Sequence, residues 1–95
     1  MKITGNKQNK VFIDGKVLSP TRSQRTYNHS PDGFNWGYGG SGSAQLAIAL
    51  LLEFGLTEEQ AAICHQDFKW DTIAKLPECF EIDSSIVEKW IEESK

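Results

Sequence analysis

The residues of this 95-residue chain that could do chemistry are concentrated in one stretch, His29-Ser30-Pro31-Asp32-Gly33-Phe34-Asn35-Trp36-Gly37-Tyr38-Gly39-Gly40-Ser41-Gly42. Five of the eight glycines fall between 33 and 42. Glycine serves where the backbone takes a positive φ or where another group must approach it closely. The stretch leads straight into an apolar helix-forming segment. A helix start offers free N–H groups and about half a positive charge, which suits an anion. Ser41 and Ser43 stand where a hydroxyl caps that helix or donates to a ligand. Arg22, Arg25 and His29 are the counter-charges for an anion or nucleotide held there. Phe34, Trp36 and Tyr38 lie in the same stretch, and Tyr and Trp are frequent interface anchors. The candidate ligand- or partner-binding set is therefore Arg22, Arg25, His29, Asp32, Phe34, Asn35, Trp36, Tyr38, Gly39, Gly40, Ser41, Gly42 and Ser43. The competing reading is purely structural: a Gly-rich turn that packs its aromatics over the helix.

Named catalytic patterns fail here one by one. Gly37-x-Gly39-x-x-Gly42 matches the dinucleotide fingerprint in letters, but no apolar strand precedes it and the chain is too short for a doubly wound sheet. A phosphate loop would need a lysine before its Ser/Thr. The esterase elbow GxSxG fails because position 43 is serine. Ser41, His29 and Asp32 have the residue types of a nucleophilic triad, which depends on geometry and would require His29 within reach of Ser41 or Ser43. No complete catalytic constellation results, and the chain reads as non-enzymatic. Cys64, Cys79, His29 and His65 lack the close spacing of a zinc site, so no metal or other cofactor is expected.

These residues need a scaffold, and the length fits a single domain, residues 1–95. Lys10–Ile13 and Lys16–Leu18 flank Asp14-Gly15, the signature of a hairpin with a type I′ turn. Residues 21–43 have little apolar periodicity and read as a long loop, ordered because it is rich in aromatics. Ala44–Phe54 reads as a helix buried on every side, closed by Gly55. Thr57 and Gln60 form a capping box for a second helix that bends or breaks around Lys69–Asp71 before Pro77. Cys79–Ile82 suits a short strand. Ser85 with Glu88 suggests another capping box, and Ile86, Val87, Trp90 and Ile91 make one stripe on a last helix. His65 reads as a packed or surface residue, and Trp70 and Trp90 as core or half-buried aromatics. The expected fold is α+β: an N-terminal β-hairpin or small antiparallel sheet on a buried central helix, with two to three further helices.

The formal charge of −3 conceals an uneven distribution. Residues 1–34 carry a net +4, residues 35–52 no charge, and residues 53–95 a net −7. The basic front would meet an acidic partner, or the two parts would pack against each other. Overall acidity, with a pI near 5.3, argues against nucleic acid as the partner. No apolar run reaches the roughly 18 residues of a membrane span, and no secretory signal follows Met1. Two cysteines without a pairing pattern suit reduced, buried thiols in the cytoplasm.

The central motif resembles that of an uncharacterised family of small proteins from bacteria, phages and mobile elements, with the pattern H-S-P-x-G-F-x-W-G-Y-G-G-S-G-P-A-Q-L-A-L-A. This chain matches it from His29 through Ala49, and a later Gln66-Asp67-Phe68-Lys69 matches the family's Q-x-F-K. The likeness spans roughly residues 10–91. Ser43 stands where the family carries proline, which would preorganise the first helical turn. The resemblance supplies no catalytic residues. It implies a bacterial or phage setting and an intracellular accessory role. Two functions follow as expectations: an interaction protein with a protein partner, such as an inhibitor of a host defence machine, or a module binding a small anion or nucleotide.

Overall fold

The computed structural model describes residues 1–94. Four strands, β1 (Lys2–Gly5), β2 (Val11–Ile13), β3 (Lys16–Val17) and β4 (Phe80–Asp83), form one antiparallel sheet in the order β3-β2-β1-β4. Four helices, α1 (Thr21–Thr26), α2 (Ser41–Glu53), α3 (Glu58–Asp71) and α4 (Ser85–Glu93), complete the fold among the described residues, with a 3₁₀ turn at Ile73–Lys75. The α+β class and the hairpin are as the sequence suggests. Asp14 and Gly15 take φ of 49° and 81°, the positive pair that a type I′ turn needs. β1 is an addition to the expected hairpin. Its Ile3 pairs with Ile13 and Ile82, and Gly5 with Val11 and Phe80. Ile3, Val11, Ile13 and Phe80 are all buried, so the alternation of the strands gives the sheet one apolar face.

That face meets α2. Every residue from Gly42 to Leu52 is buried, so the helix is enclosed on all sides by the sheet and the other helices. It begins three residues before the expected Ala44, because Gly40 takes the extended N-cap conformation. Neither Ser41 nor Ser43 caps it through a side chain. Gly55, at φ 114°, ends it, and the Thr57–Gln60 capping box forms at the start of α3.

Several sequence expectations are corrected. The stretch 21–43 is not all loop: Thr21–Thr26 is helical despite having no apolar residue to give it periodicity. Pro20 presets the entry angle, and Ser23 Oγ donates to Pro20 O at 2.7 Å. Ser85 forms no capping box. Ser84 is the N-cap of α4, its hydroxyl donating to Glu88, while Ser85 N–H donates to Asp83. Ile86 leaves the expected apolar stripe and is exposed, whereas Val87 and Ile91 are buried. Trp70 is exposed, not core or half-buried, whereas Trp90 is half-buried as expected. Cys79 is an exposed free thiol and Cys64 a half-buried one, so the thiols are not both in the core. The basic front and acidic back touch at the sheet, where Lys2 meets Glu81 at 3.6 Å and the N-terminal amine meets Asp83 at 3.8 Å. Both pairs are exposed and worth little.

Candidate functional site

The Gly-rich stretch is held down by buried polar contacts. Gln45, fully buried on α2, is the hub. Its Oε1 accepts from His29 N–H at 2.9 Å and from Ser30 N–H at 3.0 Å. Its Nε2 donates to Ser23 Oγ at 2.9 Å and to Tyr27 O at 3.1 Å. One amide thus satisfies four groups of a segment that has no apolar side chain facing the core, and it fixes where His29 stands.

The expected site residues divide into two groups. Phe34 and Trp36 are core residues, not surface anchors, at 7% and 6% exposure. Trp36 packs edge-on against Phe80 at 4.9 Å and over Gly5, and its Nε1–H donates to the carbonyls of Pro77 and Glu78. Of the others, Gly42 and Ser43 are buried at the start of α2, and the rest are exposed or half-buried. Asp32 and Ser41 are exposed and share a shallow cleft of about 300 Å³ with Asn35, Tyr38 and Gly42. Asn35 Nδ2 donates to Tyr38 Oη at 3.3 Å, and its Cβ packs against Gly42. Arg22 and Arg25 are exposed on α1.

The glycines are occupied by the chain itself. A Cβ on Gly39 would meet the Trp70 ring at 2.0 Å, and one on Gly40 the Tyr38 ring at 2.2 Å. Gly39 and Gly40 are therefore seats for aromatic rings, and their faces are not an open cradle for a phosphate. Ser43 Oγ is buried and, among the described residues, without a hydrogen-bond partner.

Sequence reasoning missed three residues that the fold brings to this place. His65 is buried on α3, and its Nδ1 lies 3.0 and 2.9 Å from the carbonyls of Ala61 and Ala62. Carbonyls only accept, so Nδ1 carries the proton and Nε2 is left as an acceptor. His29 Nε2, at 2.9 Å, therefore donates to it. His29 also stacks on Tyr27 with centroids 4.1 Å apart. Burial, then the neighbouring His65 and Lys69, hold the His29 pKa below its ordinary value of 6.5. Among the described residues no hydrogen bond joins His29 to Ser41 or Ser43; its ring is turned to His65. One turn beyond His65, Lys69 is buried, at 6% exposure. Its Nζ donates to Gly39 O at 3.1 Å and lies 4.5 Å from the Trp70 ring centroid. The i, i+4 spacing of His65 and Lys69 was visible in the sequence, but the groups across from them were not.

A chain of contacts results, running from exposed Tyr27 through His29 and the buried His65 and Lys69 to Gly39, on which exposed Trp70 rests, with Tyr38 seated on the next residue, Gly40. The model of one family matches residues 2–93. The chain belongs to that family, DUF6166, a family of unknown function. Neither the curated proteins nor the solved structures give a match. Among the described residues of this DUF6166 protein, no helix is long and apolar enough to cross a membrane, and no three His, Cys, Asp or Glu side chains are grouped to hold a metal ion.

Proposed function

We propose that this DUF6166 chain is a small, non-enzymatic, intracellular interaction module of bacterial, phage or mobile-element type that grips a protein partner through the surface around Tyr27, Tyr38 and Trp70. The observation that supports it is that the chain of contacts through His29, His65 and Lys69 links exposed Tyr27 to exposed Trp70, with exposed Tyr38 seated on Gly40 next to it, at 53%, 58% and 49% exposure. Exposed Tyr and Trp rings held rigidly over a glycine backbone supply contact area at low entropic cost. The exposed arginines of α1, Arg22 and Arg25, close in sequence to Tyr27, suit a partner with an acidic surface. Inhibition of a host defence machine is the accessory role this reading favours. The test is capture of the partner from the native host by the tagged chain. Alanine at Trp70 and at Tyr38 should abolish capture while cooperative melting is retained. Capture unchanged in both variants overturns the reading.

A second reading rests on Lys69. Among the described residues its buried amine donates to one carbonyl, Gly39 O, close to the start of α2, and forms no ion pair with a carboxylate. Such an amine would serve a small anion or nucleotide that displaces Trp70 from Gly39. Thermal-shift screening against nucleotides and cyclic dinucleotides tests it. A ligand at about 100 times its Kd should stabilise by about 2.7 kcal/mol. Lys69→Met should remove that shift, and no shift with any phosphorylated ligand overturns the reading.

A further inference from the structure

Away from that surface, α3 and α4 form a wedge. They are joined at one end, where the Phe68 and Trp90 rings lie 4.9 Å apart and Trp90 Nε1–H donates to Asp71 Oδ2 at 2.9 Å. Towards the other end they part around a groove of about 240 Å³ lined by Leu56, Gln60, Ile63, Cys64, Trp90, Ile91 and Ser94. Its lining is mostly apolar, and Ile63 stands on its lip at 78% exposure, the most exposed of the large apolar side chains among the described residues. The volume falls below the roughly 300 Å³ at which small-molecule pockets begin, so the groove suits one or two inserted side chains.

The charge on the two helices is predominantly negative. Glu59 and Asp67 stand one turn before and one turn after Ile63 on α3, both exposed. Glu93 follows Trp90 by three residues on α4. Over the two helices seven carboxylates stand against two amines, and one of those, Lys69, is engaged with Gly39. The half-buried Cys64 sulfur sits on the floor of the groove, where burial and the nearby Asp67 charge raise its pKa. It is kept as a neutral thiol that packs as a small apolar group.

We propose that the groove between α3 and α4 docks a basic amphipathic helix of a partner protein, an aliphatic side chain entering between Ile63 and Trp90 while flanking Lys or Arg side chains pair with Glu59, Asp67 and Glu93. The apolar floor supplies the anchor, and the acidic lips select the charge of what surrounds it. This surface carries no residue of the Tyr27–Trp70 face, so it stands or falls independently of the function proposed above.

The test uses the full chain carrying Cys79→Ser, so that Cys64 is the single thiol. A synthetic helix of about 14 residues built from Leu, Lys and Ala is compared with a counterpart in which Glu replaces Lys. The Lys peptide should shift the backbone amide resonances of Ile63, Cys64 and Ile91 and slow labelling of Cys64 by a thiol reagent. Ile63→Lys, and separately Glu59→Lys with Asp67→Lys, should each weaken it by about tenfold or more. The Glu peptide should leave both readouts unmoved. All three substituted positions are exposed; should a reversal impair folding, Glu59→Gln with Asp67→Asn carries the same comparison. Equal binding of the two peptides, no binding, shifts that map elsewhere, or affinity indifferent to the substitutions overturns the proposal. So does a wild-type dimer that Ile63→Lys dissociates, because the groove would then belong to a second copy of the chain.

Discussion

The imidazoles of His29 and His65 meet Nε2 to Nε2 at 2.9 Å, and the proton between them is donated by His29. The backbone of α3 decides this, because the carbonyls of Ala61 and Ala62 hold the His65 proton on Nδ1. Protonating both rings would turn the contact into two opposed N–H groups beside the Lys69 cation.

A pH dependence follows, and its sign can be worked out. Burial, His65 and Lys69 lower the folded pKa of His29 from 6.5, so below that value the unfolded chain binds more protons than the folded one. Stability then rises with pH in that range. The contribution of His29 is complete above pH 6.5 and is lost as pH falls from there through the lower folded pKa. Melting temperatures taken between about pH 7 and 5, above most carboxylate titrations, should fall with pH for the wild type and flatten for His29→Gln. A wild-type curve that rises towards acid would contradict the assignment.

Gln45 ties the segment from Ser23 to Ser30 to α2. Gln45→Leu keeps the volume but removes all four bonds, taking the acceptor from Ser30 N–H and leaving His29 N–H and Tyr27 O with only their own 3.2 Å contact. The expected loss is about 2–4 kcal/mol in urea unfolding. Hydrogen exchange of the Ser23 to Ser30 amides should quicken more than that of α3. A loss below about 0.5 kcal/mol would show that water replaces the amide without penalty.

Trp36 and Tyr38 are two residues apart and should behave oppositely. Trp36→Ala empties a site between Phe80 and Gly5 and frees two carbonyls, for a loss of about 3–5 kcal/mol. Tyr38→Ala removes a ring that is 49% exposed and should cost under about 1 kcal/mol. Denaturant midpoints of the two variants decide the point, and equal losses would refute the division between core and surface.

The elements that announced themselves in the sequence are those whose local chemistry is complete. Asp14-Gly15 dictates its own turn, Thr57 and Gln60 cap each other, and an all-apolar helix must be buried. Thr21–Thr26 did not announce itself, because its buried contact is with Gln45, 19 residues beyond its last residue. Trp36 and Tyr38 look alike in sequence; what separates them is a pocket made by β4 and Gly5, which no local spacing reveals. For the same reason the Gly-rich stretch was legible as a special place, but His65, Lys69 and Trp70 were not legible as its neighbours. The approach of α3 brings them there, and helix spacing shows only that two of them share a face.

That approach can be tested at Gly39. A methyl there would lie 2.0 Å from the Trp70 ring, so Gly39→Ala must push the ring off its seat and disturb the Lys69 contact with it. Alanine also narrows the unfolded ensemble, which by itself stabilises by about 0.4–1 kcal/mol where the backbone accepts it. In the wild type the two effects oppose, and Gly39→Ala should be close to neutral or destabilising. With Trp70→Ala the obstruction is gone, and adding Gly39→Ala should then stabilise by about 0.4–1 kcal/mol. The sign of this coupling in a double-mutant cycle reports whether the ring rests on the glycine in solution. Identical effects of Gly39→Ala in both backgrounds would mean that it does not, and the exposed ring would lose its support as a rigid anchor.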